Sequence, residues 1–156
     1  MAVRIVETSG PTETESLGAE LAGELSDGDV VLVCGELGSG KTTLVRGAAR
    51  ALGVSDPVTS PTFSIGHRYN GANMTVSHLD LYRLAGLEHE DPALLVDYLG
   101  PGRIAFVEWP KDETDRIAAG ELADARMRVT LHHRGGDDRR IELDGAPGED
   151  RSGGRR

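Results

Sequence analysis

The sequence predicts an α/β fold in three layers, a central mixed sheet flanked by helices, and three observations carry that reading. Val30-Val31-Leu32-Val33-Cys34 is a continuous apolar run, as a strand buried on both faces requires. A glycine-rich turn follows it directly and opens into a helical pattern that ends near Leu52. A second apolar strand candidate at Arg103–Val107 and two hairpin patterns, at 63–79 and 127–143, supply the remaining strands.

Taken in order, Arg4-Ile5-Val6-Glu7 reads as a short edge strand. Thr12 and Glu15 have the spacing of a capping box, and Leu17, Leu21, Ala22 and Leu25 make one apolar stripe, so a helix is expected near 13–25. Ser26-Asp27-Gly28-Asp29 is turn chemistry before the first apolar strand. In the next helix Leu44, Ala48, Ala51 and Leu52 share a face, and Gly53 is the expected stop. Asp56-Pro57 and Ser60-Pro61 disfavour helix. Phe63 to Tyr69 alternates as a strand does, Asn70-Gly71 signals a hairpin, and Asn73 to Leu79 returns as its partner. Asp91-Pro92 followed by Ala93 to Val96 suggests a short helix stopped at Gly100, and 115–124 a further one. Met127 to His132 and Arg140 to Leu143 form a closing hairpin around Gly135-Gly136. The reading is one domain over 1–144, with a disordered tail over 145–156 because that stretch is polar and glycine-rich.

The turn between the first apolar strand and its helix is Gly35-Glu36-Leu37-Gly38-Ser39-Gly40-Lys41-Thr42, which matches G-x-x-x-x-G-K-[ST] at every position. Strand, glycine loop, helix is the context this motif needs, and it makes the fold P-loop NTPase-like. Backbone amides at a helix N-terminus hold phosphate oxygens, and glycines let the chain approach them closely. Lys41 adds a compact positive charge for the β- and γ-phosphates, and Thr42 offers a hydroxyl to Mg²⁺.

The net charge of −9 bears on partners. Residues 134–156 carry six acidic and six basic side chains, so the whole imbalance sits in 1–133. An acidic body binds nucleic acid poorly, because phosphate contacts supply most of that affinity; any RNA contact is expected through partner proteins. Cys34 is the sole cysteine and reads as a small buried hydrophobe. No apolar run approaches 18 residues and the N-terminus has no signal-type apolar region, so a cytoplasmic location is expected.

An ATP-binding loop needs acids for Mg²⁺. Asp80 and Glu108 each stand at the end of an apolar strand, where ligands sit in open α/β sheets. Either can hold the metal, and one can orient the attacking water. Thr62, in Ser60-Pro61-Thr62-Phe63, lies in a loop able to fold over a γ-phosphate; an ordinary turn is the alternative. Asp97-Tyr98-Leu99-Gly100 matches a GTPase-like D-x-x-G but no guanine-reading motif accompanies it, so a helix end is the better reading. His132-His133 and His78 with Asp80 lack a zinc framework. Trp109 covers the nucleotide, meets a partner or packs in the core.

Gly35 to Thr43, Ser60-Pro61-Thr62-Phe63, His78-Leu79-Asp80-Leu81-Tyr82-Arg83-Leu84 and Val107-Glu108-Trp109-Pro110 occur in that order and at that spacing, and together they resemble the TsaE (YjeE) family over about residues 10–133. The resemblance implies an ATPase of tRNA threonylcarbamoyladenosine biosynthesis. Its implied partners are TsaB and TsaD, with TsaD transferring the threonylcarbamoyl group to an adenosine beside the anticodon. It implies that Lys41 and the loop hold phosphates, that Thr42 and Asp80 serve Mg²⁺, and that Glu108 lies beside metal and reacting phosphate. Thr43 belongs to the same nucleotide-binding stretch, and Thr14 matches a family threonine near the adenine. Residues 64–68 and 85–97 follow the family loosely.

A small-metabolite kinase is the enzyme alternative, but 85–97 is acidic and has no arginine for a phosphate-clamping lid. A nucleotide-gated binding module without essential hydrolysis is the third reading.

Overall fold

The structure is a computed structural model that describes residues 3–36, 38–59, 66–80, 98–109 and 126–145. Along these the chain forms β1 (Val3–Thr8), α1 (Pro11–Ala22), β2 (Val30–Gly35), α2 (Lys41–Ala51), β3 (Gly66–Asn70), β4 (Thr75–Asp80), β5 (Arg103–Trp109), β6 (Met127–His133) and β7 (Arg139–Asp144). All seven strands join one sheet in the order β1-β7-β6-β2-β5-β4-β3. The centre is parallel: β6, β2, β5 and β4 run together. Antiparallel strands finish both sides, β3 against β4 and β7 then β1 beyond β6. This is the mixed sheet of the expected α/β class.

Register explains the core. Val76, Ile104, Phe106, Val31, Val33 and Val129 share one face and pack with Leu17 and Leu21 of α1 and Leu44, Val45, Ala48 and Ala49 of α2. The opposite face is buried too, at Leu32, Cys34, Ala105, Val107 and Leu79. A parallel centre buried on both faces is what the continuous apolar runs of β2 and β5 call for.

α1 starts earlier than the Thr12–Glu15 spacing indicates. Pro11 occupies the first helical position after Gly10. Its fixed φ and missing amide suit that place, which shifts the cap upstream. Glu13, not Glu15, then reaches back, its Oε1 accepting from the Ser9 amide at 2.7 Å. The helix ends at Ala22, so Leu25 follows it and packs only partly buried on the core. In α2 the buried stripe is Leu44, Val45, Ala48 and Ala49. Ala51 is exposed and Leu52 half-buried, because the face turned to the sheet is centred one residue earlier than the apolar count suggests. Gly53 ends the helix as expected, with φ 96°. The Gly53 and Val54 amides return to the carbonyls of Arg50 and Ala49, each at 3.0 Å.

α1 and α2 meet backbone to backbone. A Cβ on Gly18 would lie 2.2 Å from the Leu44 carbonyl oxygen, and one on Gly47 would lie 2.0 Å from that of Glu15. This close fit places the start of α1 against the loop that precedes α2.

Both expected hairpins form. The first is joined by residues 71–74 rather than by a two-residue turn: the Gly71 amide donates to Met74 and the Ala72 amide to Leu52, both at 2.9 Å. Docking on the end of α2 sets that longer connection. The β6–β7 hairpin turns at Gly135 and Gly136, both at positive φ. The expected strand start at Phe63, the helices near 91–96 and 115–124, and residues 146–156 of the expected tail lie outside the described residues. No helix among the described residues is long and apolar enough to cross a membrane.

Candidate phosphate-binding site

β2 has parallel neighbours on both sides, and ligands of open α/β sheets sit at the carboxyl ends of such strands. There the chain passes through the glycine loop to Gly40, the N-cap of α2, which holds φ 104°. That left-handed conformation requires glycine in practice. Lys41 and Thr42 are thus the first residues of α2, where opening amides lack intrahelical acceptors and the helix dipole favours an anion. Ser39 is buried within the loop, Glu36 and Gly38 are exposed, and Thr43 is half-buried on the first helical turn.

Lys41 is 7% exposed, and its Nζ donates to the carbonyls of Gly35 at 2.8 Å and Glu36 at 3.0 Å. Burial lowers its pKa below the ordinary 10.5, and the negative charges of Glu108 and Asp80 oppose that shift. A phosphate arriving here would offset the same desolvation.

Thr42 reaches across to the sheet. Its hydroxyl donates to Glu108 Oε2 at 2.9 Å. His78 Nε2 lies 2.5 Å from the same oxygen. Asp80 is the register partner of Glu108 on the neighbouring strand and shares its face. The two acids, at the last residue of β4 and the last but one of β5, are therefore adjacent, beside the start of α2. A hydroxyl with carboxylates is a hard-oxygen donor set, which fits Mg²⁺. Among the described residues no group of three or more His, Cys, Asp or Glu is assembled to hold a metal alone. Mg²⁺ sites at phosphates commonly use one or two carboxylates and complete the shell with phosphate and water, so the residues present suit the ion.

Thr14 comes to the loop from the first turns of α1. It is buried, its hydroxyl bonded to that of Thr8 at 2.9 Å, and it presents its methyl side to Gly40. Leu37 and Thr62 lie outside the described residues. Trp109 ends β5 opposite Cys34, and its side chain lies outside the described part.

Two residues join the site to which the sequence reading gives no role there. His78 is one, and alternation is its signal: two residues before Asp80 on a strand means the same face. Arg139, at the start of β7, is the other. Its Nε donates to Ser39 O at 2.9 Å and Nη2 to Gly38 O at 3.3 Å. Its Nη1 donates to Gly136 O at 2.8 Å and Asp138 O at 2.9 Å. The guanidinium thus ties the last hairpin to the outward carbonyls of the glycine loop. The opposite side of the Ser39–Gly40 peptide, where the Gly40 amide points, faces away from that grip.

Comparison with known proteins bears on the family and the fold. The family model described as "Threonylcarbamoyl adenosine biosynthesis protein TsaE" matches residues 8–141. A tRNA threonylcarbamoyladenosine biosynthesis protein TsaE of Bacillus subtilis is 34% identical over 134 residues, 86% of this chain and 80% of that protein. A protein of the same description from Synechocystis sp. is 41% identical over 108 residues, 63% of this chain and 64% of that one, so the match spans just under two thirds of the relative. The crystal structure of Bacillus subtilis YdiB superposes with a TM-score of 0.71 at 27% identity, covering 93% of this chain and 87% of that one.

Proposed function

The chain belongs to the TsaE family, with its P-loop NTPase-like fold, and on that premise we propose that it is a Mg²⁺-dependent ATPase of tRNA threonylcarbamoyladenosine biosynthesis. In this reading it acts with TsaB and TsaD homologues to support threonylcarbamoyl transfer to the adenosine next to the anticodon. The observation that carries the reading is the Thr42–Glu108 hydrogen bond, which joins the first turn of the loop's helix to a strand-end acid. Loop amides and Lys41 hold the phosphates. Thr42, Asp80 and Glu108 would hold Mg²⁺, which when bound neutralises charge on the phosphate chain. Glu108 orients the attacking water, Thr62 closes over the γ-phosphate, and Thr14 and Trp109 flank the nucleotide. The acidic body leaves tRNA to the partner subunits.

The test is release of free phosphate from ATP with no acceptor added, alone and with TsaB and TsaD homologues. Turnover without acceptor is expected, slow for the isolated chain because a partner-supplied group completes such sites. Lys41→Ala and Asp80→Ala should abolish it with the fold intact, whereas Glu108→Ala should keep ATP binding and lose function in the complex. ADP formed only in the presence of a small metabolite would identify a kinase instead. Full tRNA modification by a non-hydrolysing Glu108→Ala complex would make the protein a binding switch.

A further inference from the structure

His78 is fully buried, and its one hydrogen-bond contact among the described residues is Glu108 Oε2. Nδ1 has no partner. A proton on Nε2 makes the contact to Glu108 and leaves Nδ1 as a lone pair, which is cheaper to bury than an orphaned N–H. The sheet register creates the pairing. His78 and Asp80 occupy one face of β4, Glu108 stands opposite Asp80 on β5, and His78 is its diagonal neighbour. Glu108 Oε2 therefore receives two contacts, from His78 on β4 and from the Thr42 hydroxyl on α2. Oε1 has none among the described residues.

We propose that His78 is a positioning residue for Glu108: its Nε2–H and the Thr42 hydroxyl together pin Oε2, so that Oε1 is the oxygen presented to the phosphate chain and its attendant water. A carboxylate held by one donor can rotate and exchange its two oxygens; held by two, from separate elements, it is restrained from doing so. The same His–Glu contact links the two strands that bear the acids, so the separation of Asp80 from Glu108 is set before any ligand arrives. This inference rests on the nucleotide-hydrolysing reading above. The alternative is a histidine that merely fills the core.

The test compares His78→Gln, whose amide nitrogen reaches about as far as Nε2, with His78→Asn, which is one methylene too short, each alone and with Glu108→Gln. His78→Met, apolar and of similar length, repeats the loss without a shortened amide and stands in should the asparagine variant not fold. Turnover and KM for ATP are measured, together with the Mg²⁺ concentration needed for half-maximal binding of a non-hydrolysable ATP analogue. His78→Asn and His78→Met should lower kcat by about 10- to 100-fold with KM little changed, the loss of one hydrogen bond to a charged group. Both should also raise the Mg²⁺ requirement, while His78→Gln stays within about threefold of wild type. In the Glu108→Gln background the His78 substitutions should add less than about twofold. Equal losses for Gln, Asn and Met, additive effects with Glu108→Gln, or an unchanged kcat and Mg²⁺ requirement in His78→Met would overturn the proposal. A wild-type chain that binds the analogue with Mg²⁺ but releases no phosphate would sink the ATPase reading instead, and the Mg²⁺ requirement would still decide the role of His78.

Discussion

Gly47→Ala tests how tightly the glycine loop depends on its supporting helices. The added Cβ would lie 2.0 Å from the Glu15 carbonyl oxygen, 2.6 Å from its carbon and 2.7 Å from its Cα, against an ordinary contact of 3.4 Å or more. All three are helix backbone atoms, so relief requires α1 and α2 to move apart by over 1 Å; no side chain can turn aside. Gly18 sits at the same crossing with equally little room. Alanine gains about 1 kcal/mol of helix propensity over glycine. Overpacking costs about 1–3 kcal/mol and more where backbone must shift, so this contact belongs at the upper end. A net loss of about 2 kcal/mol follows, or about 4–8 °C in Tm for a chain of this size. Gly23→Ala is the control: φ is −66° and the nearest atom stands 3.5 Å away. It should gain about 0.4–1 kcal/mol by restricting the unfolded chain. Thermal unfolding followed by circular dichroism reads both. Because Thr14 rests beside Gly40, Gly47→Ala should also weaken binding of an ATP analogue. A Gly47→Ala protein as stable as wild type, or a Gly23→Ala protein that loses as much, would refute the reasoning.

Two further outcomes follow from the loop's surroundings. Burial lowers the Lys41 pKa, so between that lowered value and 10.5 the folded protein holds fewer protons than the unfolded chain. Stability of the empty protein should therefore rise with pH across that window relative to Lys41→Met, and ATP affinity should fall across it as Lys41 loses its charge; urea midpoints and titrations at stepped pH check both signs. Arg139→Gln should weaken ATP and ADP alike, by about 5- to 30-fold, and speed hydrogen exchange of the amides at 38–40, since it removes donors from the loop's carbonyls and touches no γ-phosphate group. A loss confined to ATP would place Arg139 in the chemistry rather than in the cradle.

The part of the fold legible in the sequence is the part set locally. The strand, glycine loop and helix around Gly35 and Lys41 are contiguous, and the stop at Gly53 is a single-residue backbone requirement. Asp80 and Glu108 were placeable because each ends an apolar strand, and parallel pairing then puts such ends on one edge. What spacing alone could not give depends on register. Arg139 reaches the loop across 100 residues, and only the β6–β7 pairing reveals it. His78 becomes meaningful once β4 and β5 are known to be neighbours, since its partner is diagonal to it on another strand. The start of α1 shows local signals competing: a plausible Thr12 cap yields to Pro11, whose ring geometry fixes the first helical residue. The four-residue connection after Asn70 likewise answers to a tertiary contact with Leu52.

Arg139 has a consequence for synthesis on the ribosome. The glycine loop emerges long before the guanidinium that secures it, 100 residues further on, and β1 emerges earlier still than β7, its pairing partner among the described residues. A half-made chain therefore displays the whole nucleotide motif without its fastening, and the first strand waits unzipped. Neither contact can close until the final hairpin is present, which ties the fastening of the anion cradle to the part of the sheet made last.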